Sequence, residues 1–414
     1  MTGPGRRTGN ELPIGRRVAE LRINRGMNQQ VFADRVGKSK SWVDKVERGV
    51  RTLDRLSVIE TVAAALGVAP TVLLAGKAQR GPAADTDTGS AVERVREALA
   101  RYDVPRLGSD GPPASSLRQL DGQVGYAWTA YRNGHHAQVL RMLPDLLGDS
   151  RRAYHVQTDD PAAADLPVRV YRLAAQVLAK LGEADLAWLA ADRAMTAAAG
   201  DPRRAALAAV SLAQALRALR RGRLAMAAAA AATAAHRLDL APARAFLPEE
   251  PALTGTLLTE AALAAAACGA AAATAEFTER AAHLATAHGE RHHGDHDGIG
   301  FGTVTVELAR ALTAMRLGDH HWAVTAHRRA TADDAWRLLP AEHRAAHLID
   351  ITRAHLDLGD HHAAGRALVT ADGIAPAETR LRPAAHAALT AVLRAGPTAA
   401  DVARLAATIG LTRQ

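Results

Sequence analysis

The stretch NQQVFADRVGKSKSWVDKVERG, Asn28 to Gly49, decides how this chain is read. Asn28 and Ser39 stand where helix N-caps belong, because their short side chains can accept from backbone N–H groups left over at a helix start. Gly37 lies between them, where a tight turn needs a positive φ. The segment therefore predicts two short helices joined by a glycine turn. In the first, Val31, Phe32 and Val36 are expected on one face with Ala33 between them, its small side chain allowing a close helix crossing. In the second, Val43 and Val46 point inward, and Lys40, Ser41, Asp44 and Lys45 face out with Trp42 at the margin. Glu47 reads as a structural cap or an ion-pair partner.

Working outward, IGRRVAELRINRG (Ile14 to Gly26) places Ile14, Val18 and Leu21 at helical spacing and ends at a glycine. LDRLSVIETVAAALGV (Leu53 to Val68) gives a fourth amphipathic helix through Leu53, Leu56, Ile59, Val62, Ala63 and Leu66. TVLLAG (Thr71 to Gly76) predicts a short fifth. The charge is uneven in the same sense. The 414 residues carry 51 basic and 43 acidic side chains, a net of +8, and the first 80 hold 15 of the basic and only 7 of the acidic ones. The rest of the chain is neutral. A small basic module on a neutral body reads as a nucleic-acid-binding foot, although charge alone fits solubility equally well.

The spacing Gln29-x2-Phe32-Ala33-x3-Gly37-x-Ser39-x3-Val43-x3-Glu47-x-Gly49 resembles the phage-repressor, or XRE, family of helix-turn-helix domains, over about Ile14 to Leu74. The resemblance implies a five-helix domain that binds double-stranded DNA. It puts Lys40, Ser41 and Lys45 at base-reading positions, and Gln29 and Arg51 at phosphates. Their chemistry agrees: lysines donate to guanine O6 and N7, and a serine hydroxyl serves either base. Trp42 has two readings, a thymine methyl or packing on the neighbouring helix.

KAQRGPAADTDTGS (Lys77 to Ser90) is polar and aperiodic and predicts a flexible linker. A second loop is expected over Asp103 to Ser116. Beyond it the pattern is helical throughout, with glycines 134, 182, 222, 269, 318 and 359 closing one helix of each pair. A period in the forties predicts an α-solenoid of stacked helix pairs. Gly-Asp-His-His occurs at Gly318 and again at Gly359, with a shorter relative at Gly134, and these turns resemble degenerate tetratricopeptide repeats. Phe301–Asp319, Leu338–Asp360 and Ala375–Pro383 resemble the C-terminal half of actinobacterial regulators in which an XRE domain precedes a repeat domain. There the first motif commonly reads Phe-Gly-Pro-Thr-Asn-Val; here Thr303, Val304 and Thr305 replace the Pro, Thr and Asn. The layout is also similar to peptide-pheromone-sensing regulators, in which a concave repeat groove holds a peptide.

Other chemistry is sparse. Cys268 is the lone cysteine, which excludes a disulfide framework and suits a reducing cytosol. The first twenty residues lack the apolar core of a secretory signal. The most apolar stretch, Leu253–Phe277, is mostly alanine and carries Glu260, so a buried helix pair is expected rather than a membrane span. His283, His288, His292, His293 and His296 crowd one segment. His288, His292 and His296 would align on a helix for a metal, but Gly289, Gly294 and Gly298 interrupt it, so a solvated loop and no metal are expected. There is no P-loop, HExxH or GxSxG, and no cofactor is expected.

The expectation is an all-α chain: a five-helix domain over 1–76, a linker over 77–90 and a tetratricopeptide-like α-solenoid over 91–414. It would act as a cytoplasmic, non-enzymatic, sequence-specific transcriptional regulator, a homodimer on DNA whose repeats bind a peptide or small metabolite or supply the dimer contact. Arg169, Tyr171, Arg172 and Thr305 are the effector-binding candidates. The alternative is a scaffold whose repeats dock a partner protein while the small domain tethers it to DNA.

Overall fold

The computed structural model describes residues 14–24, 27–48, 50–51, 56–66, 82–101, 116–157, 159–239, 249–288, 300–396 and 398–411. The expected helix at 71–76, the end glycines 26 and 49, the loop at 103–115 and the histidines 292, 293 and 296 lie outside the described residues. The chain divides into two compact units, Met1–Thr86 and Asp87–Gln414. The described residues are helical, with no strand among them.

The first unit holds α1 (Ile14–Asn24), α2 (Gln29–Val36), α3 (Lys40–Glu47) and α4 (Leu56–Ala65). Asn28 caps α2 by accepting from the Val31 amide at 2.9 Å, and Ser39 caps α3 by accepting from Trp42 at 3.2 Å. Gly37 ends α2 at φ +66°. Lys38 N then donates to Ala33 O at 3.0 Å and Gly37 N to Asp34 O at 3.3 Å, which satisfies carbonyls at the helix end. Val18, Met27, Phe32, Ala33, Val36, Val43, Val46, Val62, Ala63 and Leu66 form the core. Val31 departs from its expected place and is 41% exposed. Five residues of helix leave it rotated about 140° from Val36, so the two cannot share a face. α1 crosses α3 closely at Gly15. A Cβ there would lie 2.0 Å from Val46 O, so α1 rests on α3 backbone to side-chain-free backbone.

Helix α5 (Pro82–Ala100) begins within the first unit's range and continues into the second, so residues 82–90 are helical where a flexible linker is expected. A proline suits the first position of a helix, where its missing N–H would be unpaired anyway. Six hairpins follow: α6 (Leu117–Arg132) with α7 (His136–Val156), α8 (Pro161–Lys180) with α9 (Ala184–Ala197), and α10 (Pro202–Ala218) with α11 (Gly222–Asp239). Next come α12 (Glu249–Ala267) with α13 (Ala271–His288), α14 (Thr303–Leu317) with α15 (His320–Ala332), and α16 (Ala341–Asp357) with α17 (His361–Ile374). Three shorter helices, α18 (Pro376–Leu381), α19 (Pro383–Ala395) and α20 (Ala400–Ile409), finish the unit. The alanine-rich segment is the α12–α13 hairpin, and no helix among the described residues is long and apolar enough to cross a membrane.

Five of the six expected turn glycines, 134, 182, 269, 318 and 359, have φ between +71° and +91°. The third turn differs: Arg220 takes the left-handed conformation at φ +58°, and Gly222 is already inside α11. Gly222 serves packing instead, since a Cβ there would meet Cys268 Sγ at 2.7 Å and Ala264 O at 3.2 Å. In both Gly-Asp-His-His turns the aspartate caps the second helix, Asp319 accepting from Trp322 N and Asp360 from Ala363 N. His321, His361 and His362 are exposed in the first helical turn.

The first helices of the hairpins pack in series, α6 on α8, α8 on α10, α10 on α12, α12 on α14 and α14 on α16. Then α16 returns to pack on α6, so the six make a closed circuit.

Between α15 and α16, His327 Nδ1 lies 3.0 Å from His347 Nε2, with the rings stacked. His355 and Trp336 meet them edge-on. Burial first, then His355 and Arg328, lowers the His327 pKa from 6.5 to about 4. Burial and then His327 and His343 take His347 well below its ordinary value. These imidazoles are neutral when folded but take up protons when unfolded below pH 6.5. Stability is therefore complete above pH 6.5 and falls as the pH drops toward about 4. The unfolding midpoint of the repeat unit should fall by several degrees over that interval, and by clearly less in His327→Gln. Equal slopes for the two proteins in thermal melts would contradict this.

Candidate nucleic-acid interface

The site is built on α3. Its inner side carries Val43, Val46 and Glu47, all buried, and so turns the opposite arc outward. That arc presents Ser41, Asp44, Lys45 and Arg48, with Lys40 exposed at the helix start. Arg48 pairs with Asp44 one turn back at 2.5 Å. Among the described residues no carboxylate pairs with Lys40 or Lys45, so both ammonium groups remain available to an anionic partner. Lys38, in the turn before α3, is exposed as well. Trp42 is half-buried and packs against the core.

Beneath this surface lies a polar clamp. Arg22 of α1 donates to Glu47 through Nε at 2.6 Å and Nη2 at 3.0 Å, and through Nη1 to Met27 O at 2.6 Å. Gln29, at the start of α2, donates Nε2 to the same carboxylate at 2.9 Å. One glutamate thus ties the two helices of the turn to each other and to α1. Gln29 was expected at a phosphate; in the free protein its amide is engaged with Glu47. Arg51 is exposed, and its own amide donates to Lys45 O at 3.0 Å, which folds the segment after α3 back against the helix end. Of the five sequence-predicted DNA contacts, Lys40, Ser41, Lys45 and Arg51 are exposed around α3, and Gln29 is half-buried beside it. Arg22 and Gly15 were not foreseen. An arginine in the last turn of an amphipathic helix is the available signal for the first.

The four effector candidates do not converge. Arg169 pairs with Asp121 of α6. Tyr171 is buried in the core between the first hairpins. Arg172 is fully buried, with its guanidinium 5.4 Å from the Trp128 ring centroid. Thr305 is buried at the start of α14, where its hydroxyl donates to Gly302 O at 2.8 Å and accepts from Gly302 N at 2.9 Å. His283 is exposed on α13. No three described histidines, cysteines or carboxylates are grouped to hold a metal.

Residues 13–75 match the helix-turn-helix domain family. Over 127 residues the chain is 29% identical to the propionyl-CoA carboxylase regulator of Cereibacter sphaeroides. That match covers 31% of this chain and spans about a quarter, 24%, of the relative's length.

Proposed function

Because its first unit is an XRE-like helix-turn-helix domain followed by helical repeats, we propose that the protein is a cytoplasmic, sequence-specific transcriptional regulator. It binds double-stranded DNA as a homodimer and performs no catalysis. The observation that carries this reading is the outward arc of α3, which bears Lys40, Ser41 and Lys45 while Val43, Val46 and Glu47 hold its back to the core. The N-terminal residues of a recognition helix enter the major groove, and a dimer reads half-sites about one helical turn, roughly 34 Å, apart. The relative's name, a regulator, supports the same class. The repeat unit would supply the dimer contact or bind a peptide or small-metabolite effector. Such a ligand acts only through unequal affinity for two arrangements of the protein.

Selection of bound genomic fragments by the purified protein, repeated with host-cell extract, tests the reading. It should return one palindromic motif, and an effector in the extract would change its occupancy. Recovery of no preferred duplex would refute it. On the selected site, Lys40→Ala and Lys45→Ala should each weaken binding by about 1–3 kcal/mol and relax preference at one base position. With about six to eight phosphate contacts per dimer, log affinity should fall with log salt at a slope of about −5 to −7. An equal loss on all sequences would make these lysines phosphate anchors.

A further inference from the structure

Most joints between neighbouring hairpins in the repeat unit are apolar, but the joint that closes the circuit is ionic. One large apolar cluster runs from Ala91 to Ala215 and another from Val304 to Ala406. Where these two ends meet, the side chains are charged. Glu378 of α18 is fully buried and lies 2.5 Å from His136 Nε2 at the first turn. It is also 3.2 Å from Lys180 Nζ at the end of α8 and 3.1 Å from Arg382. Lys180 pairs in addition with Glu342 of α16, and Arg382 with Asp350 at 3.0 Å. Tyr131 bonds Glu342 and packs its ring on His136. Apolar contact at the seam is slight. Ala375 fits against Gly134, Pro383 against Gly182, and Leu381 reaches the first cluster.

The Gly134 turn thus differs from its Gly-Asp-His-His relatives, since His136 faces the far end of the unit rather than water. Burial pushes the Glu378 carboxyl up, but Lys180, the His136 hydrogen bond and Arg382 outweigh it and hold it ionised. Such a seam is exact in register yet weak. The desolvation of buried charges offsets most of their attraction, so an ionic joint adds little net stability compared with an apolar one. Separation returns water to every charged group and to His136 Nδ1, which is buried with no hydrogen-bond partner among the described residues. The α10–α12 joint also buries carboxylates, Glu250 with Arg203 and Glu260 with Arg217 and Gln214, but there they sit among packed leucine, valine and alanine that hold the joint without them. Polar interfaces within one chain are those at which relative motion is expected.

We propose that this seam is a latch: the repeat unit opens between its first two hairpins and its last, at Glu378, while its other joints stay packed. The inference is independent of DNA binding. Hydrogen exchange of the full chain, followed by mass spectrometry, tests it with two perturbations. Glu378→Gln keeps the shape and removes the charge. Gly134→Ala adds a methyl that would lie 2.9 Å from Ala375 Cβ, and Ala375→Gly removes the obstacle while leaving the strain at Gly134 unchanged. In both Glu378→Gln and Gly134→Ala, peptides covering 130–136, 178–184 and 374–383 should exchange about tenfold faster or more. Peptides within α10 and α13 should be unchanged. In Gly134→Ala/Ala375→Gly, peptides 178–184 and 374–383 should return to wild-type rates, while 130–136 keeps the local effect of an alanine at φ +75°. No change at the seam, or acceleration spread evenly through the unit, would overturn the proposal. If Glu378→Gln does not fold, the Gly134 pair decides by the same readout.

Discussion

Glu47→Ala is expected to unfold the N-terminal unit while the repeat unit keeps its structure. The carboxylate is 8% exposed and is the shared acceptor for Arg22 and Gln29. Its removal leaves the Arg22 guanidinium, itself only 11% exposed, without its buried counter-charge. Breaking a buried pair from one side costs about 3–5 kcal/mol. A unit of this size has a net stability of only a few kcal/mol, because it buries a small fraction of its surface. Calorimetry should therefore show the transition of the small unit lost or moved far down, with that of the repeat unit in place. DNA binding should fail in parallel although every exposed contact residue is present. Replacing both partners, as in Arg22→Met/Glu47→Leu, should restore much of the loss, because the desolvation of the pair goes with it. A wild-type melt for Glu47→Ala would show that the clamp is ornamental.

The second large effect is expected where α12 meets the segment before α14. A Cβ on Gly255 would lie 2.1 to 2.4 Å from three carbons of the Phe301 ring, so the ring lies flat against bare backbone. Gly255→Ala forces the ring aside and should destabilise the repeat unit by about 1–3 kcal/mol or more. Phe301→Ala removes a buried ring and should do so by about 3–5 kcal/mol. The double variant should be markedly less destabilised than the sum of the two, because the added methyl partly fills the space the ring leaves. Denaturant titration of the four proteins measures the coupling, and strict additivity would exclude this contact. Phe301 stands in the motif Phe301–Asp319 that the sequence analysis singled out, which assigns at least this residue of the motif to packing.

The small unit was legible because its signals are local. Asn28, Ser39 and Gly37 act within three or four residues of themselves, and caps and a left-handed turn follow from backbone chemistry. Val31 was misplaced because an eight-residue helix gives too short a period to fix its angular origin. In the repeat unit the turn glycines were readable for the same local reason, and the exception at Arg220 shows its limit. A glycine near a turn can be there for packing, as Gly222 is against Cys268 and Ala264. Residues 82–90 were read as linker because their composition carries no apolar stripe, yet helix needs none where alanine and a leading proline favour it. For Glu47 the sequence leaves a cap or an ion pair open; the fold pairs it with Arg22, 25 residues earlier, which the sequence does not name. The same holds more strongly for His136 and Glu378, which are 242 residues apart. Surface charge on Lys40 and Lys45 was readable, whereas the effector candidates Arg172 and Thr305 look alike in sequence to residues that face solvent.

The return of α16 onto α6 changes what kind of object the repeats make. An open stack tolerates loss or gain of a unit, since each one touches only its neighbours and stability grows by increments. A stack whose last member grips its first has a fixed count. Deleting or duplicating one internal hairpin would leave His136 and Glu378 unable to meet, so hairpin number is constrained here as strand number is in a barrel. The closing contacts also join residues as far as 242 positions apart, so closing the loop carries a large chain-entropy cost that the local hairpins do not.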